Sequence, residues 1–257
     1  MKSLQRYRSA LLCVLALTCG VAGAAEIKVL TAGAFKPVVT ALVPEFEHRT
    51  GHKLVVDNDT AGALVRRVGR GEIFDLLVLT PAALEQLAAA GQVLAGSQRP
   101  LARVAIGVAV KQGAPRPDIS SVAAFRQTLL SARAVAYIDP AAGGSSGIYL
   151  ARLFETWGIA GQILPKAVLV PGGLVAQRVV NGQADIALHQ ISEILAVPGA
   201  DLVGPLPVEI QNYTVYAGAL PRNAPDAAKA AAAQAFFDLL ASSRAQAVLK
   251  DKGMEGP

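Results

Sequence analysis

Short runs of aliphatic and β-branched residues alternate along this chain with stretches in which apolar residues recur at helical spacing. In the first part of the chain, residues 27–30, 54–56 and 75–79 have the composition of buried strands, and 39–46 and 64–68 have helical periodicity. Strands that alternate with helices form parallel sheets, because each crossover helix returns the chain to the same edge of the sheet. The sequence therefore predicts an α/β fold.

The second part of the chain repeats this order. The pattern predicts strands at 104–110, 135–138, 168–170, 184–188 and 215–219, and helices at 122–130, 148–157, 174–181, 227–240 and 245–250. The last strand is placed to return the chain to the first half of the fold. Residues 111–117 contain a glycine and two prolines, and they predict a break between the two halves.

The first 24 residues have the pattern of a secretory signal peptide. Lys2, Arg6 and Arg8 precede the apolar run 10–17, and small residues fill 21–25. This apolar run is shorter than the roughly 20 residues that a membrane-spanning helix needs. We therefore expect residues 1–24 to be removed on export to the periplasm, and we expect the mature chain to have no membrane span.

Charge and cysteine content exclude several classes of function. Three of the 24 basic residues lie in the predicted leader, which leaves 21 against 19 acidic residues and no basic run of the kind that binds nucleic acid. Both cysteines, Cys13 and Cys19, also lie in the leader. The mature chain therefore has no disulfide or cysteine ligand, and its histidines do not cluster as a metal site requires. We expect no metal and no cofactor.

Loops of small residues follow four of the predicted strands and lead into helices. Ligands of open parallel sheets bind at the carboxyl ends of the strands, where N–H groups of helix N-termini without internal partners favour an anion. The candidate ligand-binding residues of these loops are Thr31, Gly33, Ala34, Thr60, Ala61, Gly62, Ser145, Ser146, Gly147, Gly172 and Gly173. The alternative for each loop taken singly is an ordinary helix cap or turn.

His189 and Gln190 follow the predicted strand 184–188, which places both at the mouth of the same crevice. An imidazole in this position is a candidate ligand donor or proton carrier. The alternative is a packed histidine at the end of a strand. Glu193 lies close by in the sequence and is a second candidate proton carrier.

Three further residues are candidate contacts for a carboxylate ligand. Arg66 and Arg67 lie one helical turn from the Thr60 loop, and a guanidinium binds a carboxylate with two hydrogen bonds. Tyr149 lies near the start of the predicted helix 148–157. The alternative is that the arginines are surface charges and that the tyrosine belongs to the core.

Residues 143–147 also match the Gly-x-Ser-x-Gly pattern of a hydrolase nucleophile, with Asp185 and His189 downstream in the required order. A nucleophile elbow turns directly off its strand, whereas residues 139–142 separate this serine from the predicted strand. The alternative is that Ser145 or Ser146 caps the following helix.

Several segments in sequence order resemble the periplasmic molybdate-binding (ModA-like) family of type 2 solute-binding proteins. They are 27–34, 60–68, 74–78, 139–149 and 184–187. The resemblance implies two α/β lobes, each a mostly parallel sheet flanked by helices, with lobe 1 formed by 25–105 plus 215–257 and lobe 2 by 106–214. It also implies an oxyanion held in the cleft by hydroxyls and N–H groups, and delivery to an ABC permease.

The chain departs from the family pattern at the expected ligand contacts. Ala34 stands where molybdate binders have a serine, Thr60-Ala61-Gly62 matches their serine-rich second loop, and their late tyrosine falls at His189 or Gln190. A closer likeness is to the subgroup that includes bacterial aconitate isomerases. It is carried by 109–120, 136–139, 146–150 and 190–193.

Two hypotheses for function follow. The first is a monomeric periplasmic binding protein that holds a small oxyanion or polycarboxylate in the cleft for an ABC transporter. The second, implied by the closer likeness, is an isomerase that interconverts trans- and cis-aconitate. For that reaction the residue chemistry indicates a 1,3-proton shift in which His189 or Glu193 moves the proton.

Overall fold

The computed structural model describes residues 24–224 and 226–257, so the predicted leader lies outside the described residues except for Ala24. Within these residues the strands are β1 (Glu26–Ala32), β2 (Lys53–Asp59), β3 (Leu76–Leu79), β4 (Arg99–Lys111), β5 (Val135–Ile138), β6 (Ala167–Val170), β7 (Ile186–Gln190), β8 (Ala200–Pro205) and β9 (Tyr213–Ala219). The helices are α1 (Lys36–Thr50), α2 (Ala61–Gly69), α3 (Pro81–Ala89), α4 (Val122–Ser131), α5 (Ser145–Thr156), α6 (Ala160–Ile163), α7 (Gln177–Val180), α8 (Ile191–Ile194), α9 (Ala227–Leu240) and α10 (Ser243–Asp251). None of the helices in the described part of the chain is both long and apolar enough to cross a membrane.

Side-chain caps determine where several helices begin. The hydroxyls of Thr60, Thr80 and Ser121 accept hydrogen bonds from the backbone N–H three residues further on, at 3.1, 3.4 and 3.1 Å. Each bond satisfies one of the N–H groups that the first turn of a helix leaves without a partner. At its other end α1 stops at Gly51, whose φ of 74° is the left-handed conformation that favours glycine.

One mixed sheet runs through the whole fold, with strand order β2-β1-β3-β9-β4-β7-β5-β6, and β8 pairs with β4 beside this path. Towards its two ends the sheet is parallel, where β1 pairs with β2 and β3, and β5 pairs with β6 and β7. In the middle, β4 and β9 pair antiparallel with all their neighbours. The predicted α/β class is confirmed, and the antiparallel middle is an addition that the alternation of elements did not predict.

Strand β4 joins the two halves of the fold. Residues 99–105 pair with β9, and residues 106–111 pair with β7 and β8. The chain thus passes from one half to the other within a single strand. The predicted break between the halves at 111–117 was wrong, because this turn follows β4 and leads into α4 within the second half.

Buried apolar side chains pack as separate cores in the two halves. One cluster draws its buried members from residues 27–104 and 216–254, and the other two draw theirs from 106–206 and 109–197. Aromatic pairs lie within both halves: Phe46 meets Phe236 edge to face with ring centroids 5.0 Å apart, and Tyr137 meets Phe154 at 5.6 Å. The two separately packed bodies are the lobes of the expected two-lobed architecture.

Candidate functional site

A cleft lies between the two lobes at the carboxyl ends of the parallel strands, and it narrows to an inner cavity of about 40 Å³. Its walls come from the loops after β1, β2, β5 and β6, from the junction of β7 with α8, and from β9. The lining residues are Ala32, Gly33, Ala34, Asn58, Asp59, Thr60, Ala61, Ile138, Gly144, Ser145, Ser146, Gly173, His189, Gln190, Glu193 and Tyr216. They meet because the carboxyl ends of parallel strands share one edge of a sheet.

The first turn of α5 faces this cavity. Gly144 precedes the helix in an extended conformation, and Ser145 and Ser146 line the cavity with the first residues of the helix. The N–H groups of Ser145, Ser146 and Gly147 have no backbone partner among the described residues, as the geometry of a helix N-terminus requires. With the serine hydroxyls, they form a set of hydrogen-bond donors suited to an anion.

Gly147 places this turn against the end of β5. A Cβ added to Gly147 would lie 2.2 Å from the carbonyl oxygen of Ile138, so only glycine allows the helix to approach the strand this closely. The same residue brings Ile138 and Ser146 together in the wall of the cavity.

The backbones of the two lobes touch beside the cavity. The N–H of Gly62 donates to the carbonyl of Gly143 at 3.1 Å, and the hydroxyl of Thr60 donates to the carbonyl of Ala142 at 2.6 Å. Ser192 closes the other side by donating to the carbonyl of Ala34 at 2.8 Å. These bonds join residues of different lobes, so the cleft is closed in this structure.

Gly62 offers a direct test of whether closure matters for binding. A Cβ on Gly62 would lie 2.8 Å from Cα of Gly143 in the opposite lobe, so Gly62→Ala should hold the lobes apart. Alanine is the better helix former by about 1 kcal/mol, and we therefore expect no loss of thermal stability. The affinity for a cleft ligand is expected to fall about tenfold, a loss of roughly 1.4 kcal/mol, in calorimetric titrations with sulfate, molybdate and trans-aconitate.

Gly69→Ala is the matched control for this substitution. Gly69 lies in the same helix, and an added Cβ there would meet nothing within 4 Å. Equal affinities for the two variants would contradict the role given to the Gly62–Gly143 contact.

His189 and Glu193 form a buried pair in the wall of the cavity. Nε2 of His189 lies 3.1 Å from Oε2 of Glu193, and their side chains are only 2% and 9% exposed. Burial lowers the pKa of His189 to about 3 and raises the pKa of Glu193 to about 8, because a group removed from water is disfavoured in its charged form. At neutral pH both members of the pair are therefore uncharged.

Two buried polar atoms at the cleft have no hydrogen-bond partner among the described residues. They are Nδ1 of His189 and Oε1 of Gln190, whose Nε2 donates to the hydroxyl of Thr214 at 2.8 Å. Buried polar groups in native proteins are almost always hydrogen-bonded. Unpaired atoms of two neighbouring residues in the wall of a cavity are typical of a site that is completed by a ligand or water.

Sequence reasoning missed Tyr216, which lines the cavity from β9. Its side chain is buried, and its pKa is raised by burial and then by the neighbouring Glu193, so the phenol is uncharged and able to donate a hydrogen bond. Sequence comparison had placed the late tyrosine of molybdate binders at His189 or Gln190. In this fold a phenol reaches the cleft from the strand that returns to the first lobe, and only the pairing of β9 with β3 and β4 reveals this.

Several residues predicted for the site do not line the inner cavity. Thr31 is fully buried, and its hydroxyl donates to the carbonyl of Ala32 at 3.1 Å. Gly147 and Gly62 lie behind the wall in the contacts described above. Gly172 lies near the rim, where an added Cβ would be 3.7 Å from Oδ1 of Asp59.

The candidate carboxylate contacts have partners elsewhere. Arg67 binds Asp57 and binds Glu72 at 2.6 Å, and the two acids raise the pKa of its guanidinium. Arg66 is exposed and reaches only the carbonyl of Ala142, at 3.4 Å. The Tyr149 hydroxyl donates to the carbonyl of Ile210 at 2.5 Å.

The hydrolase hypothesis was wrong, because its triad is not assembled. Asp185 precedes β7 and pairs with Arg133 at 2.9 Å, whereas His189 lies near the other end of β7 and pairs with Glu193. No hydrogen bond from the hydroxyl of Ser145 or Ser146 to His189 occurs in the part of the chain described. These serines belong to the first turn of α5 and not to a nucleophile elbow.

Two α/β lobes that close over a polar cleft are the architecture of solute-binding proteins. The family model described as bacterial extracellular solute-binding protein matches residues 27–255 of this chain, which is nearly all of the described part. The chain belongs to this family, and the resemblance stated from its sequence is confirmed.

Three individual proteins are similar to this chain over most of its length. Over 237 residues the chain is 37% identical to an aconitate isomerase from a Pseudomonas species, which covers 89% of this chain and 87% of that protein. The periplasmic molybdate-binding protein of Azotobacter vinelandii is similar with a TM-score of 0.72 at 19% identity, covering 90% of this chain and 99% of that one. The sulfate-binding protein SubI of Mycobacterium tuberculosis H37Rv has a TM-score of 0.71 at 16% identity, covering 90% and 87%. At these identities the two structures show the fold alone.

Proposed function

We propose that this protein binds a small oxyanion or polycarboxylate in the cleft between its lobes. The observation that carries the proposal is the first turn of α5, whose N–H groups have no backbone partner and whose serine hydroxyls line a cavity closed by both lobes. Such a turn combines hydrogen-bond donors with the positive end of a helix dipole. The unpaired Nδ1 of His189 supports the proposal, because a neutral imidazole that carries its proton on Nδ1 can donate a hydrogen bond to a ligand in the cavity.

The two acidic residues of the cavity do not oppose an anion. Glu193 is protonated at neutral pH because burial raises its pKa to about 8. Asp59 accepts a hydrogen bond from the N–H of Thr60 at 2.8 Å and lies 3.6 Å from a guanidinium nitrogen of Arg67. The negative charge of Glu193 is thus absent, and that of Asp59 is partly offset by Arg67, which Asp59 shares with Asp57 and Glu72.

The cellular setting completes this proposal. The protein is exported by the leader 1–24, acts in the periplasm as a monomer, and delivers its ligand to an ABC permease. Residues 25–105 with 215–257 form lobe 1, and 106–214 form lobe 2. Val104 packs in the core of the first lobe, and Ile106 packs in a core of the second lobe. Strand β4 passes from one lobe to the other at this point, which supports these boundaries.

A ligand screen with one matched pair of variants tests the binding proposal. Thermal unfolding is measured with molybdate, tungstate, sulfate, citrate, cis-aconitate and trans-aconitate, and at least one of them is expected to stabilise the protein by about 2.7 kcal/mol at a hundred times its Kd. Ser146→Asp places a negative charge in the cavity and is expected to weaken that ligand about 100-fold.

The control is Ser243→Asp, which makes the same change in the first turn of α10 at an exposed position. An acidic residue in the first turn suits a helix, and because Ser146 is buried while Ser243 is exposed, circular dichroism of both variants is used to establish that each is folded. If no anion stabilises the wild type, or if Ser146→Asp binds as well as Ser243→Asp, the binding proposal fails.

A second candidate function is isomerisation of aconitate, which the buried His189–Glu193 pair favours and which the 37% identical aconitate isomerase from Pseudomonas supports. In this reaction a base removes a proton from the methylene carbon of trans-aconitate, and the electron pair becomes the allylic carbanion. A proton then returns to the carbon at the other end of the allyl system. One proton leaves and one returns, so no redox partner is needed.

The different pKa values of His189 and Glu193 support different roles for the two residues in this mechanism. With a pKa of about 3, neutral His189 is a weak base. Glu193, with a pKa of about 8, is the stronger base once ionised, and a base whose pKa lies near the working pH is the most effective. We therefore assign the proton transfer to Glu193 and the positioning of its carboxylate to His189.

A further inference from the structure

A second chamber adjoins the inner cavity, and it is much larger. Its volume is about 500 Å³, against about 40 Å³ for the inner cavity. Gly33, Asn58, Gly173 and Glu193 line both spaces. Inner cavity and outer chamber are therefore two parts of one cleft.

Two lysines are the charged groups that distinguish the outer chamber. Lys36 is the first residue of α1, and Lys252 directly follows α10. Neither ammonium group forms an ion pair with an acid among the described residues, although the structure holds many such pairs elsewhere. The acid that lines this chamber is Glu193, which is uncharged at neutral pH.

Lys36 is solvent-exposed at the start of α1 and gains no ion pair there among the described residues. A cation at the N-terminus of a helix faces the positive end of the helix dipole and is disfavoured by several tenths of a kcal/mol. An anion in the chamber reverses this effect, because the ammonium group and the helix N-terminus then attract the same charge. Lys252 lies at the C-terminal end of α10, where a cation is favourable, and adds a second positive charge to the chamber.

The rest of the wall suits a carbon skeleton. Pro37, Ala41, Leu174 and Ala196 present apolar surface, and Thr40 and Asn58 add polar groups between them. A tetrahedral oxyanion has no carbon skeleton to extend from the inner cavity into this chamber. A ligand with one anionic group at α5 and a carbon chain that carries further carboxylates uses both spaces.

We propose that the outer chamber is a carboxylate subsite formed by Lys36 and Lys252, and that the ligand of the protein is a di- or tricarboxylic acid that spans the inner cavity and this chamber. The inference rests on the proposed binding function and narrows its ligand class. In this proposal the two lysines, and not the arginines predicted from the sequence, bind the carboxylates of the ligand. Arg67 is held by Asp57 and Glu72, and Arg66 reaches the carbonyl of Ala142.

Calorimetry with a set of lysine variants tests the subsite. Wild type, Lys36→Ala, Lys252→Ala and the double variant are titrated with trans-aconitate, citrate, acetate and sulfate. Each single variant is expected to weaken the two tricarboxylates about fivefold and the double variant about 25-fold, as for a partly exposed charge pair. The loss for the tricarboxylates should exceed that for acetate and sulfate, and it should shrink at high salt.

Lys250→Ala is the matched control, because Lys250 is exposed on α10 and lies outside both spaces. Three results overturn the subsite and can be told apart. If the wild type binds tricarboxylates and the lysine variants match Lys250→Ala, the subsite fails and the binding function stands. If the wild type binds only tetrahedral oxyanions, the ligand class is also wrong. If it binds none of these anions, the proposed function fails together with the subsite.

Discussion

Replacing Glu193 with glutamine is expected to raise the free energy of unfolding at pH 8 by on the order of 3 kcal/mol. Burial raises the pKa of Glu193 from 4.5 to about 8, so between these values the folded protein keeps a proton that the unfolded chain releases. The wild type therefore loses stability as the pH rises through this window. Glutamine keeps the shape of the side chain, cannot ionise, and removes this dependence.

His189 has the opposite dependence and determines where the effect becomes visible. Burial lowers its pKa from 6.5 to about 3, so the unfolded chain binds a proton that the folded protein does not, and stability is lost as the pH falls below 6.5. In the wild type the two slopes cancel between about 4.5 and 6.5. The net loss from Glu193 then appears between about 6.5 and 8.

Urea unfolding of both proteins from pH 5 to pH 9 measures this difference. The stability of Glu193→Gln relative to wild type should grow with pH and level off above about 8. Glu85→Gln, a change at an exposed glutamate of α3, should follow the wild type throughout. A constant difference between Glu193→Gln and wild type across this range would show that Glu193 titrates near its ordinary pKa in the folded protein.

Much of the fold was predictable because the periodicity of apolar residues is a local property. Strand 135–138 and helix 227–240 were predicted with the bounds that the structure has. The convergence of the loops after β1, β2, β5 and β6 followed from parallel topology alone. Sequence reasoning therefore placed Gly33, Thr60 and Ser146 near one another without any knowledge of the side-chain contacts.

The errors arose where tertiary contacts override local pattern. Glycine and prolines at 111–117 indicate a break, but the crossing between lobes occurs within β4, because different segments of this strand pair with different neighbours. The partners of Arg67 lie 5 and 10 residues away along the chain, and no spacing rule predicts that both acids turn towards it. Nothing in the local sequence around Tyr216 indicates that its side chain lines the cleft, because this depends on the pairing of β9 with β3 and β4.

The protonation state of Glu193 was also beyond the sequence. If Glu193 is assumed to be ionised, its negative charge repels an anion, and the sequence then speaks against an anion site beside it. Burial reverses the argument, because an uncharged carboxyl group can donate a hydrogen bond to an anion or release its proton to one. The same residue is compatible with binding at neutral pH and with base catalysis at higher pH, and only turnover distinguishes these roles.

Glu193→Gln is expected to lower turnover of trans-aconitate by 10²- to 10⁴-fold, the range over which a positioned proton carrier accelerates a reaction, if the protein is an isomerase. Binding should persist, because glutamine retains the hydrogen-bonding shape and adds no charge to the cavity. In the wild type, turnover should rise with pH up to about 8 as Glu193 ionises.

Proton NMR measures both quantities in one sample, since trans- and cis-aconitate have separate resonances whose intensities report turnover while line broadening reports binding. Glu209→Gln, at an exposed position of the second lobe, is the control and should turn over at the wild-type rate. His189→Asn should lower turnover less than Glu193→Gln does and should shift the pH profile, because it changes the environment of the base without removing it. Wild-type turnover in Glu193→Gln would exclude Glu193 as the proton carrier. Broadened lines of trans-aconitate without conversion by the wild type would exclude the isomerase and leave the chain a binding protein.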